Sequence, residues 1–195
     1  MINLNEIARK VTHLGSTIIP IVYYFFNVPK HHMILVLAIT SIFVVLIDLV
    51  RNRITWIEMI FKKILNGMLR RHELDGKLTG ASWVVIGAFI TITIFPREIA
   101  ILALFYMTLG DTAAALVGMQ IGRIRIWEKT LEGTLAGLAV CLLVGWFFKD
   151  VSWGVSVGGA VTAMLVELLP IEIDDNIRVP VAAGLIMVIL SGLGL

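Results

Sequence analysis

The chain has 195 residues, of which 58% are hydrophobic and 15% are charged, and its formal net charge is +2. A hydrophobic share this high exceeds that of typical soluble domains and predicts an integral membrane protein. The small net charge gives no indication of a nucleic acid partner, and the single cysteine, Cys141, excludes an intramolecular disulfide. Because no proline- or serine-rich linker interrupts the chain, we expect residues 1–195 to form one domain.

Apolar segments recur along the whole chain. A helix needs about 17–25 predominantly apolar residues to cross a bilayer. Seven segments approach that length, and they lie at about 11–28, 32–50, 79–95, 98–119, 133–148, 151–169 and 178–195. The pattern therefore predicts an all-α, polytopic membrane bundle of about seven transmembrane helices.

The longest stretch between apolar segments, residues 54–74, predicts an additional helix. It begins with a capping box, Thr55-x-x-Glu58, and then repeats apolar residues at helical spacing among lysines and arginines. Such a helix would lie in the membrane interface beneath anionic head groups. It would serve either as a surface anchor or as a gate for substrate access.

The basic residues predict the orientation of the chain. Of the 16 lysines and arginines, only Lys30, Arg97 and Lys149 fall on one side of the seven predicted spans. Cytoplasmic loops carry an excess of basic residues. We therefore expect the N-terminus to be cytoplasmic and the C-terminus to lie outside. The connections on the outer side are short, so any chemistry is expected at the cytoplasmic face.

The first apolar segment opens with Arg9-Lys10-Val11-Thr12-His13. These side chains could bind phosphate or lipid head groups. Membrane anchoring explains Arg9 and Lys10 equally well, but it does not explain a histidine one turn deeper. At the end of the second segment, Asp48 and Arg51 are spaced for a simple i,i+3 ion pair.

Asp111 places a carboxylate inside the fourth apolar segment. A charge at the centre of a membrane helix costs about 2.5–3.5 kcal/mol on insertion scales, so it usually faces a cavity or a partner. Asp111 is accordingly either one half of a buried ion pair or part of a functional site.

Downstream of Asp111, a basic loop leads into Lys129-Thr130-Leu131-Glu132-Gly133-Thr134 at the start of the fifth segment. A cap hydroxyl, free backbone N–H groups and an ammonium there could bind phosphate. Gly118, Gly122 and Gly133 belong to this candidate nucleotide site, although close helix packing explains the glycines alone better.

A second acidic group, Glu172-Ile173-Asp174-Asp175-Asn176, precedes the last segment, and Glu167 lies inside the apolar run before it. Neighbouring carboxylates and an amide could hold Mg²⁺, which prefers oxygen ligands and substrate phosphates. The alternative is a solvated loop in which Asn176 caps the last helix.

Several motifs follow one another through nearly the whole chain. They are Arg9-Lys10-x-x-His13, Arg70-x-x-Glu73 with Leu78-Thr79-Gly80, Leu109-Gly110-Asp111-x-x-Ala114 with Gly118, Lys129-Thr130-x-Glu132-Gly133-Thr134, Glu167, and Asp174-Asp175-Asn176 with Pro180. This pattern resembles the CTP-dependent polyprenol kinases, a family that includes dolichol kinase, phytol and farnesol kinases and a CTP-using diacylglycerol kinase. The resemblance implies that CTP and a membrane lipid alcohol are converted to CDP and the lipid monophosphate.

The core from Asp111 to Gly133 is also similar to phosphatidate cytidylyltransferases, which transfer CMP to a lipid phosphate. Those enzymes are generally longer and usually carry Ser-Pro-Lys where this chain has Trp127-Glu128-Lys129. This departure favours the kinase. A third hypothesis is a transporter with Asp111 as its coupling site. It is disfavoured because no internal repeat is evident and most charged residues lie on one side of the membrane.

The kinase resemblance also implies roles for the candidate residues. Asp111 would be a Mg²⁺ ligand or the base for the lipid hydroxyl, and Lys129, Arg9 and Lys10 would neutralise the phosphates. The implied ligands of Mg²⁺ are Asp111, Glu132, Asp174 and Asp175. The implied nucleotide-binding residues are Gly118, Gly122, Thr130, Glu132, Gly133, Asn176 and His13.

The implied partners are CTP, the lipid bilayer and a lipid alcohol: a polyprenol or dolichol, phytol or geranylgeraniol, or diacylglycerol. We also consider a homodimer.

Single cysteines introduced at six basic positions test the orientation. In intact cells, an impermeant thiol reagent should label the three outer positions and leave the three cytoplasmic positions unlabelled. The outer positions are Lys30, Arg97 and Lys149, and the cytoplasmic positions are Lys62, Lys129 and Arg178. The unsubstituted chain, with its lone Cys141 in an apolar run, is the control. Labelling of Lys129→Cys from outside would contradict the orientation.

Overall fold

The computed structural model of the protein describes residues 4–51, 53, 54, 59 and 78–194. Nearly all of this part of the chain is helical, as the sequence predicted. The helices are α1 (Leu4–Gly15), α2 (Ile18–Phe25), α3 (Lys30–Val50), α4 (Gly80–Ile94), α5 (Arg97–Phe105), α6 (Asp111–Ile121), α7 (Leu131–Phe147), α8 (Trp153–Leu168) and α9 (Asp175–Gly192). The interfacial helix predicted at 54–74 lies outside the described residues, apart from 54 and 59.

Each of the seven predicted apolar segments contains helix, but the helices differ in length. Three are long and apolar enough to cross a membrane: Lys30–Val50, Arg97–Ile121 and Asp175–Gly192. The apolar helices α4, α7 and α8 have only 15, 17 and 16 residues. The membrane-embedded, all-α class is supported, while the number of seven spans stays a prediction.

The first predicted span is divided into two helices. A turn at Ser16 and Thr17 separates α1 from α2, and the Ser16 hydroxyl donates to the His13 carbonyl at 2.5 Å. On α1, Lys10 is buried while Val11 is exposed. This arrangement is the reverse of an amphipathic helix on a soluble protein. It directs the polar side of α1 towards the protein interior and its apolar side outward.

The centre of the bundle is the continuous helix formed by α5, a π-helical turn at Tyr106–Gly110, and α6. Ile101, Leu102 and Ala103 on this helix are completely buried, whereas Ile42 and Phe43 on α3 are exposed. An exterior of large apolar side chains is what a helix in contact with lipid requires. π-helical turns occur frequently at functional sites, and this one ends immediately before Asp111.

Glycines allow α6 and α7 to lie in close contact. A Cβ atom on Gly118 would come within 2.7 Å of the Thr130 hydroxyl, and one on Gly133 would come within 2.5 Å of the Ala114 carbonyl. Between the two helices, Arg125–Ile126 and Lys129–Thr130 pair as antiparallel strands β1 and β2. The close packing of the helices and this short hairpin together fix the position of Lys129.

A second close contact joins α4 to the beginning of α9. Pro180 has no N–H, so the Asn176 carbonyl four residues earlier lacks its usual helical donor. Gly87 of α4 packs against this carbonyl, and a Cβ atom there would lie 2.0 Å from its oxygen. Only glycine fits without a backbone shift, so this contact sets the position of the α9 N-terminus.

We predict that Gly87→Ala lowers the free energy of unfolding by about 1–3 kcal/mol, because the methyl group forces α4 away from α9. The measurement is thermal unfolding of the detergent-solubilised protein. Gly192→Ala at the far end of α9 is the matched control, since a Cβ atom there meets nothing within 4 Å. Equal midpoints for the two variants would contradict a tight α4–α9 contact.

Candidate functional site

Three carboxylates from different helices converge next to the central helix. Oxygen atoms of Asp111, Glu167 and Asp175 all lie within 4.8 Å of one another. Asp111 is the first residue of α6, Glu167 lies in the last turn of α8, and Asp175 begins α9. Asp111 and Glu167 are buried. Such charges are stable away from water only when cations or hydrogen bonds compensate them.

Two lysines supply most of that compensation. Lys10 Nζ lies 2.6 Å from Asp111 Oδ2, and the His13 Nε2 atom is 3.3 Å from the same oxygen. Lys129 Nζ lies 2.5 Å from Glu167 Oε1 and 3.1 Å from Asp175 Oδ2, and it also donates to the Glu167 carbonyl at 2.5 Å. We call Asp111, Glu167, Asp175, Lys10 and Lys129 the carboxylate–lysine cluster.

Arg178 completes the charge balance around the cluster. Its Nε atom donates to Asp175 Oδ1 at 2.7 Å, and its Nη1 atom donates to the Leu169 carbonyl at 2.5 Å. Arg178 therefore ties the first turn of α9 to the end of α8. This link keeps Asp175 next to Glu167.

The carboxylates fit a divalent metal. Their oxygens are the donors that Mg²⁺ prefers. Glu167 is only 3% exposed, and its Oε2 atom is buried without a hydrogen-bond partner among the described residues. A buried oxygen left in this state costs free energy, which a ligand at this position would recover. Asp111, Glu167 and Asp175 are therefore the residues that would hold a cation.

A cavity of about 1320 Å³ borders the cluster. Its wall combines charged and apolar side chains from seven helices and the β1–β2 hairpin. The charged residues include Lys10, Asp111, Lys129, Asp175 and Arg178. The apolar residues include Ile18 and Ile19 of α2, Val44 and Ile47 of α3, and Val84 of α4. A cavity of this composition suits an amphiphilic ligand next to an anionic one.

Other residues predicted for the site also line this cavity, and one of them, His13, contacts Asp111 as described above. Arg9, His13, Asp174 and Asn176 are among its lining residues. Asp174 caps α9, because its side chain accepts from the Asn176 N–H at 3.0 Å and from Asn176 Nδ2 at 2.7 Å. Thus Asp174, predicted as a metal ligand, uses Oδ1 for a helix cap.

Other predicted residues lie at the α6–α7 contact. The Glu132 oxygens accept the Ile124 N–H at 3.1 and 3.2 Å, so this carboxylate holds the basic loop and is not brought to the cluster. The Thr130 hydroxyl caps α7 by accepting the Gly133 N–H at 3.2 Å. Gly118 and Gly122 pack against Thr130, so helix packing is the visible role of these two glycines.

Of the cluster residues, Glu167 has the weakest support from the sequence, which shows only a carboxylate inside an apolar run. In the structure, its carboxylate lies with those of Asp111 and Asp175. Its position inside an otherwise apolar helix was the available signal, because buried carboxylates require a reason.

A separate buried network joins α3 to α4. The Arg51 Nη1 atom is 3.3 Å from Asp48 Oδ1, which confirms the expected ion pair. The Asp48 Oδ2 atom also accepts the Thr79 N–H at 2.7 Å, the Thr79 hydroxyl at 3.0 Å and the Ser82 hydroxyl at 2.7 Å. With these partners, Asp48 fixes the start of α4 beside the cavity.

The fold and the cluster define a helical membrane protein in which paired carboxylates and lysines lie beside an apolar wall. In sequence, the chain is 24% identical to CTP-dependent diacylglycerol kinase 1 of Saccharomyces cerevisiae, over 95% of this chain and 73% of that protein. It is 26% identical to an uncharacterized protein of Rickettsia prowazekii, over 91% of this chain and 90% of the relative.

A probable chloroplastic phytol kinase of Triticum aestivum is 28% identical over 66% of this chain and 50% of its own length. No protein-family model matches the chain, and no solved structure matches it. The named relatives support membership of the CTP-dependent polyprenol and lipid kinase family, as the motifs indicated.

We predict that Asp111→Asn lowers the free energy of unfolding by about 3–5 kcal/mol, because it leaves the buried Lys10 ammonium without its counter-charge. The double variant Asp111→Asn with Lys10→Met should recover most of this loss. The measurement is again thermal unfolding in detergent.

The control for these variants is Glu98→Gln. Glu98 pairs with Arg97 at 3.8 Å, and its side chain is 44% exposed, compared with 11% for Asp111. Exposed pairs contribute at most about 1 kcal/mol. If the Asp111 variant were as stable as the Glu98 variant, the Lys10–Asp111 pair would not be holding α1 on α6.

Proposed function

We propose that the protein is a CTP-dependent kinase that phosphorylates a membrane lipid alcohol. The observation that carries this proposal is the cavity, whose wall joins the carboxylate–lysine cluster to apolar side chains. The similarity to diacylglycerol and phytol kinases supports the same reaction class. A lipid alcohol has the matching chemistry, with one hydroxyl to phosphorylate and an apolar tail.

The size of the cavity supports two simultaneous ligands. Its volume of about 1320 Å³ exceeds the roughly 300–1,000 Å³ of a typical pocket for a single small molecule. We infer that this space receives a nucleoside triphosphate together with the hydroxyl end of a lipid, with the remaining tail in the bilayer. Direct phosphoryl transfer requires both substrates to be held in this way.

The residues around the cluster supply what phosphoryl transfer requires, namely positioning and charge neutralisation. Lys10, Lys129, Arg9 and Arg178 provide positive charge for the phosphates. Mg²⁺, when bound by Asp111, Glu167 and Asp175, would neutralise further phosphate charge.

In the reaction, the lipid hydroxyl oxygen forms a bond to the γ-phosphorus, and the bond between that phosphorus and the β–γ bridging oxygen breaks. CDP is released, and the hydroxyl proton passes to a carboxylate of the cluster. Two roles are open to Asp111: it either accepts this proton or binds the metal.

The location of the site follows from the proposed orientation of the chain. With the N-terminus in the cytoplasm, the cluster faces the compartment that contains CTP, and the lipid enters from the inner leaflet. Polyprenols or dolichol, phytol or geranylgeraniol, and diacylglycerol all present a hydroxyl on an apolar chain, so the headgroup site accommodates each of them. The homodimer stays a prediction.

Isotopic label distinguishes the proposed kinase from a cytidylyltransferase. We predict that membranes containing the protein transfer label from [γ-³²P]CTP, and not from [α-³²P]CTP, to a lipid alcohol. A kinase moves the terminal phosphoryl group, whereas a cytidylyltransferase moves the α-phosphorus and releases pyrophosphate. The lipid panel should include a polyprenol, phytol, diacylglycerol and phosphatidate.

The charge-balanced double variant Asp111→Asn with Lys10→Met is the negative control, because it removes the cluster carboxylate without leaving an unpaired lysine. Its label transfer should be at background at an expression level equal to that of the wild type. The appearance of α-label in a product made from phosphatidate would overturn the kinase assignment and support cytidylyl transfer.

A further inference from the structure

The cluster is already close to electrically neutral without a metal ion. Three carboxylates, Asp111, Glu167 and Asp175, are contacted by the positive charges of Lys10, Lys129 and Arg178, in addition to the His13 imidazole. A divalent cation added to this arrangement would create an excess of positive charge in a poorly solvated site, where such an excess is costly. Binding of a cation therefore requires that one basic side chain leave the carboxylates.

Lys129 is the basic residue best placed to leave. Its side chain is 28% exposed, compared with 10% for Lys10 and 9% for Arg178. Lys129 belongs to the two-residue strand β2 at the cavity wall, so its side chain has open space beside it. Less burial makes a side chain easier to displace, and in leaving Lys129 gives up its contacts to Glu167 and Asp175.

The Lys129 ammonium also occupies the position that a cation would need. It contacts two of the three clustered carboxylates, Glu167 and Asp175, whereas Lys10 contacts only Asp111 among them. The buried Glu167 Oε2 atom has no hydrogen-bond partner among the described residues, so this carboxylate can accept a further ligand. Lys129 thus satisfies the carboxylates only in part.

We propose that Lys129 is an internal counter-ion that blocks the cation position in the nucleotide-free protein. The arriving metal–nucleotide complex displaces its ammonium from Glu167 and Asp175, and Lys129 then pairs with the phosphates. The cation consequently enters together with the nucleotide and binds poorly alone. This inference rests on the proposed function, because it assumes that the site receives a metal-bound nucleoside triphosphate.

Binding of Mn²⁺ to the nucleotide-free, detergent-solubilised protein tests this role. Free Mn²⁺ is quantified by electron paramagnetic resonance during titration of the wild type and Lys129→Met. We expect Lys129→Met to bind Mn²⁺ about tenfold more tightly than the wild type, because the ammonium no longer competes for the carboxylates. This change corresponds to roughly 1.4 kcal/mol of binding free energy. Adding Glu167→Gln to Lys129→Met should abolish the gain.

Two lysine variants control for charge. Lys10→Met removes the same charge from the cluster but not from the proposed cation position, so its gain in Mn²⁺ affinity should be smaller. Lys149→Met removes a distant lysine that lies over the Trp146 ring and should leave the affinity unchanged. An equal gain in Lys10→Met and Lys129→Met, or no gain in Lys129→Met, overturns the proposal.

A second measurement uses the wild-type protein and does not depend on the folding of any variant. Mn²⁺ at saturating concentration should expose the Lys129 amine, so its acetylation, followed by mass spectrometry, should increase. The acetylation of Lys149 should stay constant. Unchanged reactivity of Lys129 in the Mn²⁺-bound protein overturns the exchange.

Failure of this inference and failure of the proposed function are distinguishable. Transfer of γ-label without a gain of Mn²⁺ affinity in Lys129→Met would refute the counter-ion role and retain the kinase. Conversely, a Lys129-blocked Mn²⁺ site in a protein that transfers no γ-label would retain the cation site and refute the kinase.

Discussion

The neutralisation of Asp111 inside the bundle is the constraint on which much of the structure depends. A carboxylate at the start of α6, in the middle of an apolar helix, needs a buried cation. Lys10 meets this need from α1, and it does so because α1 directs its polar side inward. The sequence predicts one apolar span at about 11–28, whereas the structure has two helices, α1 and α2, joined by the turn at Ser16 and Thr17.

The carboxylates meet because helix ends converge, and two close backbone contacts bring these ends together. Gly133 lets α7 approach α6, which places Lys129 near Asp111. Gly87 lets α4 approach the carbonyl left free by Pro180, which fixes the start of α9 and therefore Asp175. These glycines thus affect the site indirectly, because they set the positions of the helix termini that carry its charged residues. This is why the packing and nucleotide-site interpretations of the glycines were difficult to separate from sequence alone.

The helical class and most of the charged site could be predicted from sequence, because both depend on local signals. Apolar length revealed the helices, a charge within an apolar run revealed Asp111, and the motif from Lys129 to Thr134 revealed Lys129 just before α7. Which carboxylates join the cluster and which bond to the backbone could not be predicted. Glu132 and Asp174 have the same chemistry as Asp175, yet the Ile124 N–H binds the first and the α9 cap uses the second. Those assignments depend on tertiary geometry, which residue spacing does not encode.

The composition of the cavity wall links this electrostatic arrangement to the lipid. A hydroxyl on an apolar tail has little tendency to leave the bilayer, whereas a nucleotide cannot enter it. Their reaction therefore requires a site where charged groups and apolar surface are adjacent. Ile18 and Val44 lie on the same cavity wall as Lys129 and Asp175, so the protein provides this adjacency within one space. Before any nucleotide binds, the lysines of the cluster pair with its carboxylates. Because this pairing makes the cluster nearly neutral, burying it beside apolar side chains costs far less free energy than burying separate charges.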